Sequence, residues 1–157
     1  MPVKPIPEGY HTITPYIIVK GAGEAIDFYK KAFGATELFR MPGPDGKVMH
    51  AEMKIGDSPI MLADECPEMQ ANAPESGKRT AVTMHMYVEK VDAFFDRAVT
   101  AGCKVVRPVA DQFYGDRAGM LTCPYGHSWY VSTHIEDVPP EEMEKRMEEA
   151  MKKGKSG

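Results

Sequence analysis

One pattern, written twice along the chain, limits the fold more than any other feature. Residues 12–20 alternate, with Ile13, Pro15, Ile17 and Val19 on one face and Thr14, Tyr16 and Ile18 on the other, which is the period of a strand. Pro15 has no N–H to give a ladder, so an edge position is predicted. Ala25, Phe28, Tyr29, Ala32 and Phe33 then recur at helical spacing, and Gly34 stands where a helix-closing glycine belongs. Three strands are predicted at 36–41, 48–55 and 59–63, separated by the turn-forming runs at 42–46 and 56–58.

After a polar segment at 66–79, with two prolines and no period, the series returns. Residues 80–89 place Val82, Met84, Met86 and Val88 on one strand face. Val91, Phe94, Phe95, Ala98 and Val99 form a second amphipathic helix closed by Gly102, and strands follow at 104–109, 119–123 and 128–134. Phe28, Tyr29 and Ala32 match Phe94, Phe95 and Ala98 at a constant spacing of 66. An ordered series of this kind is an internal duplication. It implies a single α+β domain over 1–157, made of two tandem βαβββ modules at 10–65 and 80–136. A helix at 139–153 follows, opened by Pro139 and Pro140. Its stripe of Met143, Met147 and Met151 suits either a dimer contact or a cap on the domain.

Composition excludes several classes. A formal charge of −4 leaves no basic footprint for nucleic acid. No run approaches the roughly 20 apolar residues of a membrane span, and the N-terminus lacks the apolar stretch of a signal peptide. Cys66, Cys103 and Cys123 show no CxxC spacing and read as reduced thiols of a cytoplasmic protein. The twelve methionines read as core filler, Met49 and Met53 among them.

Several motifs resemble the vicinal oxygen chelate superfamily (glyoxalase, bleomycin resistance and extradiol dioxygenase), and within it the PhnB-like branch. They are Thr14-Pro-Tyr, Ala25-Ile-Asp-Phe-Tyr29, Phe33-Gly-Ala35, His50-Ala-Glu52, Ile55-Gly-Asp57 and Met61-Leu-Ala-Asp-Glu65. Pro124-Tyr-Gly-His-Ser-Trp129 and Thr133-His-Ile-Glu-Asp137 complete the set, which covers residues 10–150. Cys123 stands where the branch usually has an aspartate. The resemblance implies curled mixed sheets around a cup, a small molecule held there, often with a divalent metal, and frequent homodimers.

Strand alternation names the residues that face such a cup, because the apolar faces are taken by the helices. They are Thr14, Tyr16, His50, Glu52 and Met61 from the first module, and Thr83, His85, Tyr87, Tyr130, Ser132 and His134 from the second. A polar and aromatic lining suits a small polar or aromatic ligand. The resemblance places the usual metal ligands at Thr14, Met61, Thr83 and Tyr130, none of which is a good divalent ligand. The leading expectation is therefore a small-molecule-binding protein without the usual metal and without a cofactor.

The alternative is a lyase, isomerase or related enzyme acting on a carbonyl or aromatic substrate. It would use a displaced divalent metal on His50, Glu52, His85 and His134, or an acid–base pair of His50 and Glu52 with a tyrosine as oxyanion donor. His127 reads as structural. Arg107 and Arg117 are candidates for holding an anionic group, with a solvated surface arginine as the plainer reading.

Overall fold

A computed structural model describes residues 2–155. Strand β1 (Tyr16–Val19), helix α1 (Ala22–Phe33) and strands β2 (Thr36–Pro42), β3 (Val48–Ile55) and β4 (Ser58–Asp64) form the first module. Strand β5 (Thr83–Tyr87), helix α2 (Val91–Ala101) and strands β6 (Lys104–Asp111), β7 (Asp116–Thr122) and β8 (Ser128–His134) form the second, and helix α3 (Pro140–Lys155) follows. Each module is one mixed four-stranded sheet, ordered β1-β4-β3-β2 and β5-β8-β7-β6, with a parallel pair at one edge. The α+β reading and the duplicated βαβββ order hold. The sheets do not close into a barrel.

The helices form where the periodicity places them, and their ends show why. Gly34 takes the left-handed conformation, φ 68°, and its N–H donates to Lys30 O. At the other end Asp64, the last residue of β4, accepts hydrogen bonds from the N–H groups of Gly21 and Ala22 at 2.8 and 2.9 Å. The second module repeats the device with Thr133, whose hydroxyl accepts from Val91 N–H at 2.9 Å. In both modules the final strand thus satisfies the start of its own helix.

The two modules are joined mainly through their helices, which pack against each other. Phe33 stacks on Phe94 with ring centroids 5.6 Å apart, and fully buried Trp129 lies 4.8 Å from Phe33 and 5.5 Å from Tyr29. Tyr29 hydrogen-bonds Cys123 at 3.2 Å within this core. His127 is buried and donates from Nε2 to Ile18 O at 2.9 Å, tying the β7–β8 turn to β1. Its structural reading stands.

Two expectations shift. β1 and β5 are shorter than predicted, so Ile13 and Val82 lie before their strands and are 83% and 67% exposed. A register shift between Met41 and Pro42 in the β2–β3 ladder breaks the alternation of β3. Val48 is buried and Met49 is turned out over Gly43, so Met49 does not fill the core. Helix α3 is held by Arg146, whose guanidinium meets both carboxylate oxygens of Glu136 at 2.8 and 2.9 Å, while Met147 and Met151 stay exposed. No helix of the described residues is long and apolar enough to cross a membrane.

Candidate ligand-binding faces

In each sheet one face is taken by the helix and the other is left open. On the first sheet Ile17, Val19, Ala51, Met53 and Leu62 are buried toward α1, which turns Tyr16, His50, Glu52 and Met61 to the open side. The ladders align Tyr16 with Met61, Met61 with Glu52, and Glu52 with Phe39, a row across the whole sheet. His50 sits beside this row, 5.5 Å from the Tyr16 ring and 6.4 Å from Phe39.

Glu52 is the polar centre of the face. It accepts a short hydrogen bond from the phenol of Tyr10 and lies 2.9 Å from His50 Nε2. The Tyr10 hydrogen bond, helped by His50, holds the Glu52 carboxyl below its ordinary range, although burial works the other way. Conversely the carboxylate pushes the Tyr10 phenol up to about 12. A carboxylate so stabilised is a weaker proton acceptor than a free one, so the arrangement favours orientation over proton transfer.

The second sheet has a corresponding row, in which His85 aligns with Tyr130, Tyr130 with Met120, and Met120 with Arg107. The His85 ring stacks on Tyr87 at 4.8 Å and meets Tyr130 edge-on at 4.8 Å, while its Nε2 lies 2.8 Å from the hydroxyl of buried Ser132. Tyr130 shares a short hydrogen bond with Tyr114, and the Arg107 guanidinium lies over its ring at 5.9 Å. Farther along, buried Asp116 accepts from the Tyr87 phenol at 3.1 Å and binds His134 Nδ1 at 2.8 Å, with Asp137 on Nε2 at 2.7 Å. Those two carboxylates, Asp137 foremost, raise the His134 imidazole above its usual value. Burial, followed by Asp116, raises the Tyr87 phenol.

Thr14, half-buried, lies just before β1, and exposed Thr83 opens β5. Among the described residues no hydrogen bond or ring contact joins the two open faces. His50 and Glu52 are together on one sheet, His85 and His134 on the other. No group of three or more His, Cys, Asp or Glu among the described residues is placed to hold a metal ion.

Tyr10, Phe39, Tyr114 and Asp116 are the partners that sequence reasoning missed. Asp116 lies outside the strand expected at 119–123, but β7 begins at Asp116, whose parity with Met120 puts it on the open side. Arg117 is no ligand candidate, because it faces the helix side and is paired with Asp92 and Asp111 at 2.9 and 3.0 Å.

The segment at 66–79 is tied to the body of the domain. Pro74 packs against Gly126, and Glu65 accepts from Ala73 N–H at 2.6 Å. Between this segment and the second sheet lies a cleft of about 740 Å³ with Lys20, Lys78, Arg79 and Lys104 in its lining.

Known proteins resemble this chain over most of its length. The Glyoxalase/Bleomycin resistance protein/Dioxygenase superfamily matches residues 10–131. An uncharacterized protein of Mycobacterium bovis is 43% identical over 138 residues, 86% of this chain and 91% of its own length. Among solved structures, TioX from Micromonospora sp. ML1 is similar with a TM-score of 0.65 at 23% identity, covering 80% of this chain and 99% of that one. A PhnB protein from Bacillus cereus gives a TM-score of 0.61 at 18% identity over 78% and 99% of the two chains, which supports the PhnB-like resemblance at the level of the fold. With the duplicated sheets and the match over residues 10–131 in agreement, the chain belongs to the Glyoxalase/Bleomycin resistance protein/Dioxygenase superfamily.

Proposed function

We infer that the protein binds a small polar or aromatic molecule, without a resident divalent metal, and that it works as a cytoplasmic homodimer. The observation that carries this reading is the pair of open faces. Tyr16 and Tyr87 are 54% and 65% exposed although the first lies in one row and the second stacks on His85 of the other, beside side chains held in place by hydrogen bonds. Such faces suit ligand contact, since aromatic rings give large contact area at low entropic cost and fixed polar groups give orientation. One module alone offers a wall and not a cup. Setting the first face of one copy against the second face of another would enclose the ligand.

The divalent metal common in this superfamily does not fit these residues. The positions that the resemblance assigns to ligands are Thr14, Met61, Thr83 and Tyr130, with neutral hydroxyls and a thioether in place of imidazole and carboxylate. No step is therefore derived through a metal. What the chain's own residues supply is a carboxylate fixed by Tyr10 and His50 and an imidazole fixed by Ser132, both suited to hold a ligand's donors and acceptors in register. The unpaired cysteines fit a reducing cytoplasm, and the charge of −4 fits a protein with no nucleic-acid partner.

Elemental analysis and zinc titration of untagged protein test the metal-free reading, and a thermal-shift screen of small polar and aromatic compounds tests binding. Expected are metal well below one equivalent, ligands that raise the melting temperature, and twice the chain mass by light scattering. Stoichiometric zinc lost in His50→Ala would overturn the reading in favour of an enzyme with a displaced metal, and a screen without ligands would overturn the binding role.

A further inference from the structure

The central rows of the two open faces differ in charge, and the difference singles out the second face. In the first row the polar residue is Glu52, an ionised carboxylate, and the row ends in Phe39. In the second row Met120 takes the corresponding place and the row ends in Arg107. Beside Arg107 opens a cleft of about 800 Å³, lined by Lys78, Arg79, Thr80, Thr83, Val106, Arg107, Met120 and Ser128. Its lining holds three cations and no carboxylate.

The four arginines outside this cleft are already engaged. Arg40 pairs with Glu37, Arg97 donates to the carbonyls of Lys30 and Lys31, Arg117 pairs with Asp92 and Asp111, and Arg146 pairs with Glu136 and Glu142. Lys78 pairs with Glu75 at 2.6 Å. Arg107 makes only a weak contact to Met120 Sδ at 3.5 Å and lies over the Tyr130 ring, which fixes its guanidinium at the face without neutralising it.

A second observation lies next to this cleft. The row adjoining that of Arg107 aligns Thr83, Ser128, Thr122 and Lys104. In it Thr122 Oγ1 is buried with no hydrogen-bond partner among the described residues. Thr122 lines the neighbouring cleft of about 740 Å³, which shares Lys78, Arg79 and Val106 with this one, so the basic lining continues past the row.

We propose that the second face binds the anionic end of an aromatic ligand, a carboxylate or phosphate held between Arg107 and Arg79 beside the hydroxyl of Thr83. The aromatic body then lies on Tyr130 and His85. Guanidinium groups suit this task, since their planar donors match the two oxygens of an oxyanion. The proposal rests on the reading of the open faces as ligand walls.

The test is a titration of the full chain with phenyl phosphate and, separately, with benzyl alcohol as a neutral aromatic, followed by amide NMR shifts of Thr83 and Arg107. Phenyl phosphate is expected to bind at roughly millimolar concentration or better, to weaken with added salt, and to lose roughly tenfold in affinity in each of Arg107→Gln and Arg79→Gln. Arg117→Gln, which alters an arginine on the helix side, should leave binding unchanged. Benzyl alcohol should bind more weakly and respond to none of the variants. Equal affinity for the two probes, or phenyl phosphate binding that ignores both arginines, overturns the anion site while leaving the faces as ligand walls. Binding of neither probe overturns the anion site, and the wider reading then stands or falls on the thermal-shift screen.

Discussion

On the helix side the two modules bury like places, Ala22, Ile26 and Tyr29 in one and Val91, Phe95 and Ala98 in the other. The helices thus correspond one turn away from the match of Phe28 and Tyr29 to Phe94 and Phe95 expected from the sequence. On the open side the matching rows read Tyr16, Met61, Glu52, Phe39 and His85, Tyr130, Met120, Arg107. The backbone register is the same and the chemistry is not. Helix-side residues are constrained by close packing, where even one methylene is felt. Among the described residues no helix packs on the open side, where loop residues such as Tyr10 and Tyr114 make the added contacts, so the duplicated scaffold leaves these positions free to differ.

The contrast breaks most visibly through stability. Trp129→Ala removes the ring that packs on both Tyr29 and Phe33, and a loss of about 3–5 kcal/mol is expected by chemical denaturation. A loss near zero would mean that the shared core is not where the modules are held.

The links within and between modules should respond to pH in opposite directions. Burial lowers the His127 imidazole, so its contribution is present above the ordinary value of about 6.5 and is lost as pH falls through the lowered folded value. His134 is raised by Asp137 and Asp116, so its contribution is present below about 6.5 and is lost as pH rises through the raised folded value. Urea midpoints of His127→Gln and His134→Gln across this range should each lose one of the two slopes, and the same slope in both variants would refute the assignment.

On the first face, Glu52→Gln removes the carboxylate that raises Tyr10. Phenolate absorbance should then show Tyr10 titrating near the ordinary value of about 10 instead of about 12. The smallest effect is expected from Tyr16→Ala, within about 0.5 kcal/mol of the parent in stability, because the residue is more than half exposed. A large loss would mean that the open face is part of the core.

Much of this was legible in the sequence because period and parity are local properties. Alternation alone put Tyr16, His50 and Glu52 on one face and His85, Tyr130 and Ser132 on another. What it could not give was distance between strands far apart in the chain. Tyr10 lies in a segment without period, so nothing announced its bond to Glu52. The shift between Met41 and Pro42 is a property of two paired strands, and Met49 was misplaced because one strand was read alone. The caps supplied by Asp64 and Thr133 were hidden for the same reason, since each lies at the far end of its module from the helix start it satisfies.

The helix-to-helix seam has a consequence for how the chain can be cut. The halves are held by Phe33 on Phe94, Trp129 on Tyr29, and the His127 bond to Ile18, all of which lie outside the connecting segment at 66–79. A single cut in the connecting segment is therefore expected to leave the assembled fold in place. A protease acting near Gly77 should yield a nicked species that still migrates as one particle. Two fragments divided there and made together in one cell should find each other, so that the molecule can be reconstituted as a split reporter from its own repeated halves.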